Sequence, residues 1–117
     1  MGHNVPTVEV ASAARTTSGD SGYTPVASLL GQDTLILLLD VTAQSGTTPT
    51  LDVSVEWSMD GGSTFAPGDT ADAFVQIAAA TGAKVKDFAI KGSGYRIVWA
   101  IAGTSPSYTF AVTELTT

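Results

Sequence analysis

A strict alternation of apolar and polar side chains over residues 50–59 is the feature that most constrains what this chain can fold into. The apolar positions are Leu51, Val53, Val55, Trp57 and Met59. An extended strand places alternate side chains on opposite faces, so this stretch has one face for a core and one for water. Similar alternation runs through residues 95–101 and 108–113. The pattern predicts antiparallel strands of an all-β protein.

Composition agrees with strands joined by turns of small residues. Only 14% of the residues are charged, 44% are hydrophobic and 12 are glycine. Further strands are predicted at residues 5–11, 23–27, 34–41 and 84–90, whereas residues 71–80 fit either a strand or one short helix. We predict an antiparallel β-sandwich or jelly roll of about seven or eight strands. Residues 1–22 form an N-terminal strand, arm and loop in this prediction, and residues 23–117 form the sandwich.

The strand predicted at residues 34–41 differs from the others because both of its faces are apolar. Either a loop covers the second face of a central strand, or another subunit buries it. On the second interpretation this strand is a candidate self-association interface. The residues concerned are Leu35, Ile36, Leu37, Leu38 and Leu39.

The N-terminal region has the composition of an extended arm. Residues 12–22 are rich in Ala, Ser, Thr and Gly and show no periodicity, so they are predicted to form an exposed loop. An arm of this kind usually becomes ordered against a partner. The candidate contact residues of the arm are Val5, Pro6, Val8 and Val10.

Two segments of the chain echo one another. Residues 46–51, Gly-Thr-Thr-Pro-Thr-Leu, resemble residues 103–108, Gly-Thr-Ser-Pro-Ser-Tyr. Proline cannot donate a hydrogen bond to a central ladder, and glycine often marks turns. We therefore predict that each segment is a hairpin tip outside the sheet.

Several classes of function lack their usual residues. The chain has no cysteine and one histidine, His3, so thiolate chemistry and a Ser-His-Asp arrangement are not expected. Neither common phosphate-binding glycine motif occurs. A net charge of −6 disfavours nucleic acid and anionic lipid. The longest apolar run, residues 35–39, is far shorter than the roughly 20 residues of a membrane span. We expect no enzyme activity, cofactor, metal, nucleic acid or membrane partner.

One short motif is specific. Residues 58–65, Ser-Met-Asp-Gly-Gly-Ser-Thr-Phe, resemble the Asp-box, Ser-x-Asp-x-Gly-x-Thr-Trp, which is a structural hairpin turn. The aspartate is expected to accept backbone hydrogen bonds, the glycines to adopt positive φ and the aromatic ring to pack back on the core. The turn residues are Ser58, Asp60, Gly62, Thr64 and Phe65.

Other groups of residues allow a functional interpretation beside a structural one. Asp52 and Glu56 share a strand face and fit a solvated surface better than a catalytic pair. The tryptophans, Trp57 and Trp99, fit a core better than a sugar-stacking platform. A calcium site would draw on Asp60, Asp69 and Asp72, which equally suit turns. A positive patch, with solvated strand edges as the alternative, would comprise Lys84, Lys86, Lys91 and Arg96.

The combination of an acidic, cysteine-free all-β chain with residues 57–62, 94–97 and 103–110 resembles small structural proteins of tailed bacteriophages, in particular capsid decoration or cement proteins. The resemblance implies a knob-shaped, commonly trimeric β-sandwich or jelly roll. It would sit on the outer capsid surface after synthesis in the host cytoplasm, binding the major capsid protein and stabilising the head. A carbohydrate- or receptor-binding module, or a tail or neck component, is the alternative.

Overall fold

The computed structural model describes residues 5–26 and 32–117, and within them it contains strands but no helix. Strands make up 69% of the structure and form one antiparallel sheet of eight strands, which confirms the all-β prediction. The eight strands are β1 (Thr7–Arg15), β2 (Gly19–Asp20), β3 (Thr24–Pro25), β4 (Thr34–Ser58), β5 (Asp72–Ala73), β6 (Ile77–Ala78), β7 (Gly82–Ala89) and β8 (Gly94–Thr116). Residues 1–4 of the predicted N-terminal segment, with His3, and residue 27 of the predicted strand 23–27 lie outside the described residues.

The sheet is built on two very long strands, β4 and β8, which pair with each other from Leu35↔Thr116 to Ser58↔Gly94. The shorter strands join this ribbon in a crossed manner. Strands β1, β2 and β3, which precede β4 in the chain, all pair with β8. Strands β5, β6 and β7, which precede β8, all pair with β4. Each long strand therefore pairs with the short strands from the other half of the chain.

The two ends of the β4–β8 ribbon pair with different short strands. We call half-sheet A the part formed by residues 34–45 of β4, residues 104–116 of β8, and strands β1 and β7. Half-sheet B is formed by residues 50–58 of β4, residues 94–102 of β8, and strands β2, β3, β5 and β6.

The ribbon bends between the two half-sheets. The rings of Trp99 and Phe110, both on β8, have centroids only 5.6 Å apart. Eleven residues of straight strand would separate them by about 36 Å, so β8 turns back on itself between them. Phe74, in the segment after β5, packs against Phe88 of β7 with the ring centroids 6.0 Å apart.

The bend lies at the two echoed segments, and the prediction that they are hairpin tips is wrong. Residues 46–51 and 103–108 lie inside β4 and β8 and face each other, with Thr47 paired to Thr104 at equivalent positions of the echo. Register shifts flank this pair, and Thr48 and Ser105 have positive φ. Bulged positions do not use every N–H in the ladder, so proline is tolerated there without ending the strand.

The core contains most of the predicted apolar faces. Its largest fully buried side chains are Tyr95, Tyr108, Phe110, Leu35, Leu37, Leu39, Leu51, Ile97, Val41, Val53, Val55 and Val112. Trp57 and Trp99, 5% and 9% exposed, also belong to it, as the core interpretation predicted. Met59 is the exception, because β4 ends at Ser58 and Met59 is 80% exposed in the turn that follows.

Residues 71–80 form neither a helix nor one continuous strand. Two short strands, β5 and β6, each pair with half-sheet B residues of β4. The described residues contain no helix able to span a membrane.

Candidate functional site

The candidate self-association strand divides between the core and the surface. Leu35, Leu37 and Leu39 are fully buried in the core. Ile36, which is half-buried, and Leu38, which is 37% exposed, lie on the outer face of half-sheet A. Only these two of the five side chains are therefore placed to contact another molecule.

The outer face of half-sheet A carries an apolar row that crosses all four strands. Val8 of β1 lies opposite Thr113 of β8, Thr113 opposite Leu38 of β4, and Leu38 opposite Val85 of β7. Directly opposed residues in an antiparallel sheet point to the same face, so the four side chains form one line. Val8 and Val85 are 60% and 68% exposed. Large apolar side chains aligned in this way mark contact surfaces more often than scattered ones do.

A shallow groove of about 170 Å³ runs beside this row. Its lining is formed by Pro6, Ile36, Leu38, Val85, Thr113, Glu114 and Leu115. No loop within residues 5–26 or 32–117 buries Leu38, so the described chain does not supply the cover that the first interpretation of this strand required.

The candidate arm residues lie in the same region. Val10 is buried in the core, and β1 pairs with β8, so residues 7–15 form a strand of the sheet. Val5 and Val8 are exposed, and Pro6 lines the groove. The exposed parts of the two surfaces that the sequence predicted separately, one for self-association and one for the partner of the arm, therefore form one continuous face.

Sequence reasoning missed Val85 and Leu115, which complete this face. Val85 lies between Lys84 and Lys86 and had no apolar pattern around it. Leu115 follows the end of the strand predicted at residues 108–113. The available signal for Val85 was a single apolar residue on an otherwise charged edge strand.

The β7 edge of half-sheet A is poorly suited to accepting another strand. Strand β7 carries Lys84 and Lys86, and charged side chains on an edge discourage further pairing. On β1, the Arg15 guanidinium donates hydrogen bonds to the carbonyls of Ala11 at 2.7 Å and Ala13 at 3.0 Å, and to that of Phe110 on the neighbouring β8 at 2.9 Å. The outer face of half-sheet A is open to a partner.

The carboxylates around the groove are without basic partners. Asp87 lies opposite Ile36, and Asp40 lies two residues beyond Leu38 on the same face. Ion pairs in the described part of the chain are Lys91–Asp72, Arg96–Asp20 and Arg96–Glu56, and none involves Asp40 or Asp87. The groove is therefore apolar with an acidic surround.

Glu114 also belongs to a polar cluster at the inner side of half-sheet A. Burial and the negative charge of Glu9 raise the pKa of Glu114. The neighbouring Tyr95 hydroxyl is enclosed and makes no hydrogen bond of ordinary geometry, and burial raises the pKa of Tyr95. Glu9 in turn accepts a hydrogen bond from the Thr24 hydroxyl at 2.7 Å. Two carboxylates therefore approach each other without an intervening cation in this cluster.

The Asp-box-like segment forms a hydrogen-bonded turn. The Ser58 hydroxyl accepts a hydrogen bond from the Gly62 N–H at 2.8 Å, and the Asp60 carboxylate accepts one from the Thr64 N–H at 2.8 Å. The Thr64 bond, together with the one that the Ser58 hydroxyl donates to Asp60 at 2.9 Å, lowers the pKa of Asp60. Gly62 has φ of 95°. Phe65 packs outside the core, 6.2 Å from the Tyr23 ring.

Beside this turn lies a second open cavity of about 230 Å³. Its lining is formed by Trp57, Met59, Asp60, Thr64, Phe65 and Ala66. Because Trp57 is buried and donates its indole N–H to Asp72 at 2.7 Å, it offers no exposed ring face for a sugar. Phe65 has one face covered by the Arg96 guanidinium, 4.2 Å from the ring centre.

The remaining candidate groups are occupied by local contacts. Glu56 accepts hydrogen bonds from Arg96, and Asp52 accepts one from Gln76. Among the described residues, no group of three or more acidic, histidine or cysteine side chains could hold a metal ion. Two of the four basic residues pair with carboxylates, Lys91 with Asp72 and Arg96 with Glu56.

Comparisons with known proteins add no relative: no family model matches the chain, and no curated protein matches it.

Proposed function

We propose that this chain is a non-enzymatic virion protein that decorates and stabilises the head of a tailed bacteriophage. The observation that carries the proposal is the apolar face of half-sheet A, in which Val8, Leu38 and Val85 are exposed in one row. A folded sheet with one open apolar face has what a cement protein needs, which is stiff mass and a contact surface. Repetition of that contact over a shell would convert weak binding into durable attachment.

The same proposal includes the finer architecture. Half-sheets A and B would be the two layers of a β-sandwich, and the close approach of Trp99 to Phe110 across the bend supports this arrangement. The resemblance to decoration proteins also leads us to propose a trimer that binds the major capsid protein on the outer capsid surface. The proposal assigns no trimer interface to the buried residues Leu35, Leu37 and Leu39.

The experiment has two parts. Light scattering on the purified chain at several concentrations measures its absolute mass, and mass spectrometry on purified phage particles detects the chain. We expect a trimer in solution and the chain in the particles. A monomer at every concentration together with absence from particles would overturn the proposal. Rings of six or twelve subunits would instead favour a tail or neck component.

A carbohydrate- or receptor-binding module is the second candidate, and the open cavity beside the Asp-box-like turn favours it. Met59 and Phe65 line that cavity close to Trp57, so a ligand there would alter tryptophan fluorescence. Glycan-dependent fluorescence changes that are lost in Phe65→Ala would support this function. No change across a broad glycan array would count against it.

A further inference from the structure

The groove of half-sheet A combines two properties that together specify the chemistry of its occupant. Its walls are apolar, with Ile36, Leu38 and Val85 among them, so covering it removes apolar surface from water. Its surroundings are acidic, because Asp40 and Asp87 lie on the same face and make no ion pair in the described structure. A complementary surface therefore presents apolar side chains flanked by positive charge.

We propose that this groove binds a segment of a partner protein in which apolar side chains are flanked by lysine or arginine. The inference rests on the proposed function and deepens it by stating the chemistry of the partner. In a capsid, such a segment would belong to the shell subunit beneath the decoration protein.

A second copy of this chain is a poorer occupant of the groove. Packing two copies through this face would bring Asp40 and Asp87 of each copy toward the same groups of the other. Each chain also carries a net charge of −6. Like charges brought together at an interface oppose association, so the face selects against itself and for a cationic partner.

The binding mode follows from the position of the apolar side chains. Ile36, Leu38 and Val85 lie on the outer face of half-sheet A, and the lysines of β7 discourage strand addition at that edge. The partner segment therefore lies across the outer face, with its apolar side chains over Leu38 and its cations near Asp40 and Asp87. Its affinity should depend on salt, since exposed charge pairs are screened.

The test uses the full chain and a short synthetic peptide of alternating leucine and lysine. The control peptide carries glutamate in place of lysine. Amide shifts in the two-dimensional NMR spectrum of the ¹⁵N-labelled chain locate binding, and the titration gives a Kd at low and high salt. We expect shifts on half-sheet A around Leu38, Val85 and Leu115, weaker binding at high salt and no binding of the glutamate peptide.

Two matched pairs of variants separate the groove from general attraction to an acidic protein. Leu38→Ser should weaken binding at least about tenfold, whereas Val98→Ser, on the outer face of half-sheet B, should leave it unchanged. Asp87→Asn should weaken binding less and reduce its salt dependence, whereas Asp52→Asn should do neither. Circular dichroism on each variant checks that the fold is retained.

Shifts confined to half-sheet B, or equal effects of Leu38→Ser and Val98→Ser, would overturn the inference. Self-association of the wild-type chain that Leu38→Ser abolishes would also overturn it, because the occupant would then be a second copy. These outcomes are distinct from failure of the proposed function. A chain absent from phage particles could still bind the leucine–lysine peptide in the groove, and a particle protein could fail to do so.

Discussion

The outer faces of half-sheets A and B are formed by the same two strands, yet they are completed in different ways. In half-sheet B, Glu56 accepts two hydrogen bonds from Arg96 on the neighbouring strand, and Asp52 accepts one from Gln76. In half-sheet A the same strand presents Ile36 and Leu38, with no polar network over them. The polar side chains of the first face are hydrogen-bonded within the chain, whereas the apolar side chains of the second face are left uncovered. The second face is therefore the candidate for docking.

The largest expected effect distinguishes the two sides of half-sheet A. Leu37→Ala should lower the free energy of unfolding by about 2–5 kcal/mol, because it leaves a cavity in the core. Its neighbour Leu38 points outward, so Leu38→Ala should cost less than about 1 kcal/mol. Urea unfolding of both variants measures the difference. Equal losses would show that Leu38 is packed inside the protein.

The junction between the half-sheets is the next most sensitive place. Gly103 has φ of 124°, and a Cβ there would lie 2.9 Å from the Pro49 Cα and the Thr48 carbonyl oxygen. Gly103→Ala should therefore lower the free energy of unfolding by about 1–3 kcal/mol, because the alanine would be strained and its Cβ too close to the facing backbone.

Gly61→Ala is the matched control for this variant. Gly61 also has positive φ, but nothing lies within 4 Å of its would-be Cβ. Gly61→Ala should therefore lower the free energy of unfolding by less than Gly103→Ala does, as measured by urea unfolding of both variants. A junction variant as stable as the control would mean that the two echoed segments are not packed against each other.

Charge removal should affect the two outer faces differently. Glu56→Gln in half-sheet B weakens the contact with Arg96, whose Nη2 lies 2.6 Å from the carboxylate, and should cost about 0.2–1 kcal/mol. Asp87→Asn in half-sheet A breaks no ion pair and should not measurably change the free energy of unfolding. Unfolding at low and high salt checks this, because the Glu56→Gln effect should shrink at high salt. A larger loss for Asp87→Asn would contradict the description of an unpaired acidic surround.

The smallest expected effect concerns pH. The pKa of Glu114 is raised in the folded chain by burial and by Glu9, so the folded state holds this proton more tightly than the unfolded state does. This group therefore adds stability as pH falls through its folded pKa toward its unfolded value, and opposes folding at neutral pH.

Replacing this carboxyl tests the sign of the effect. Glu114→Gln should be slightly more stable than wild type at neutral pH, and its stability should rise less on mild acidification. Glu9→Gln should also reduce that rise, since it removes the charge of Glu9 that helps raise the pKa of Glu114. Unfolding measured between pH 4 and 7 decides it, since this window begins near the ordinary carboxyl pKa of about 4 and covers the range above it, into which the pKa of Glu114 is raised. Lower stability of Glu114→Gln at neutral pH would contradict this account.

Local patterns were sufficient to predict which side chains enter the core. Alternation placed Leu51, Val53, Val55 and Ile97 correctly, because burial on one face of a strand leaves a period of two in the sequence. It failed at Met59, where the strand gives way to a turn that local hydrogen bonds to Ser58 stabilise.

Connectivity could not be read in the same way. The stretch Gly-Thr-Thr-Pro at residues 46–49 fits a hairpin tip as well as a bulge, and only its pairing with residues 103–106 decides between them. That pairing joins positions more than fifty residues apart, and local sequence does not encode it.

The candidate site was predictable in part for the same reason. The doubly apolar strand identified Ile36 and Leu38 as unusual, although it also included the buried Leu35, Leu37 and Leu39. The position of Val85 beside Leu38 depends on the register of β7 against β4. Sequence alone therefore indicated that an apolar face existed but not which residues share it.

The most direct test of the central claim is photochemical carbene footprinting of Val8, Leu38 and Val85, compared between the purified chain and intact phage particles that contain it. We expect all three side chains to be labelled in the purified chain and protected in the particle, while Thr50 and Ser54 on the outer face of half-sheet B keep their labelling. Unchanged labelling of the half-sheet A row in the particle would contradict the assignment of this face as the docking surface.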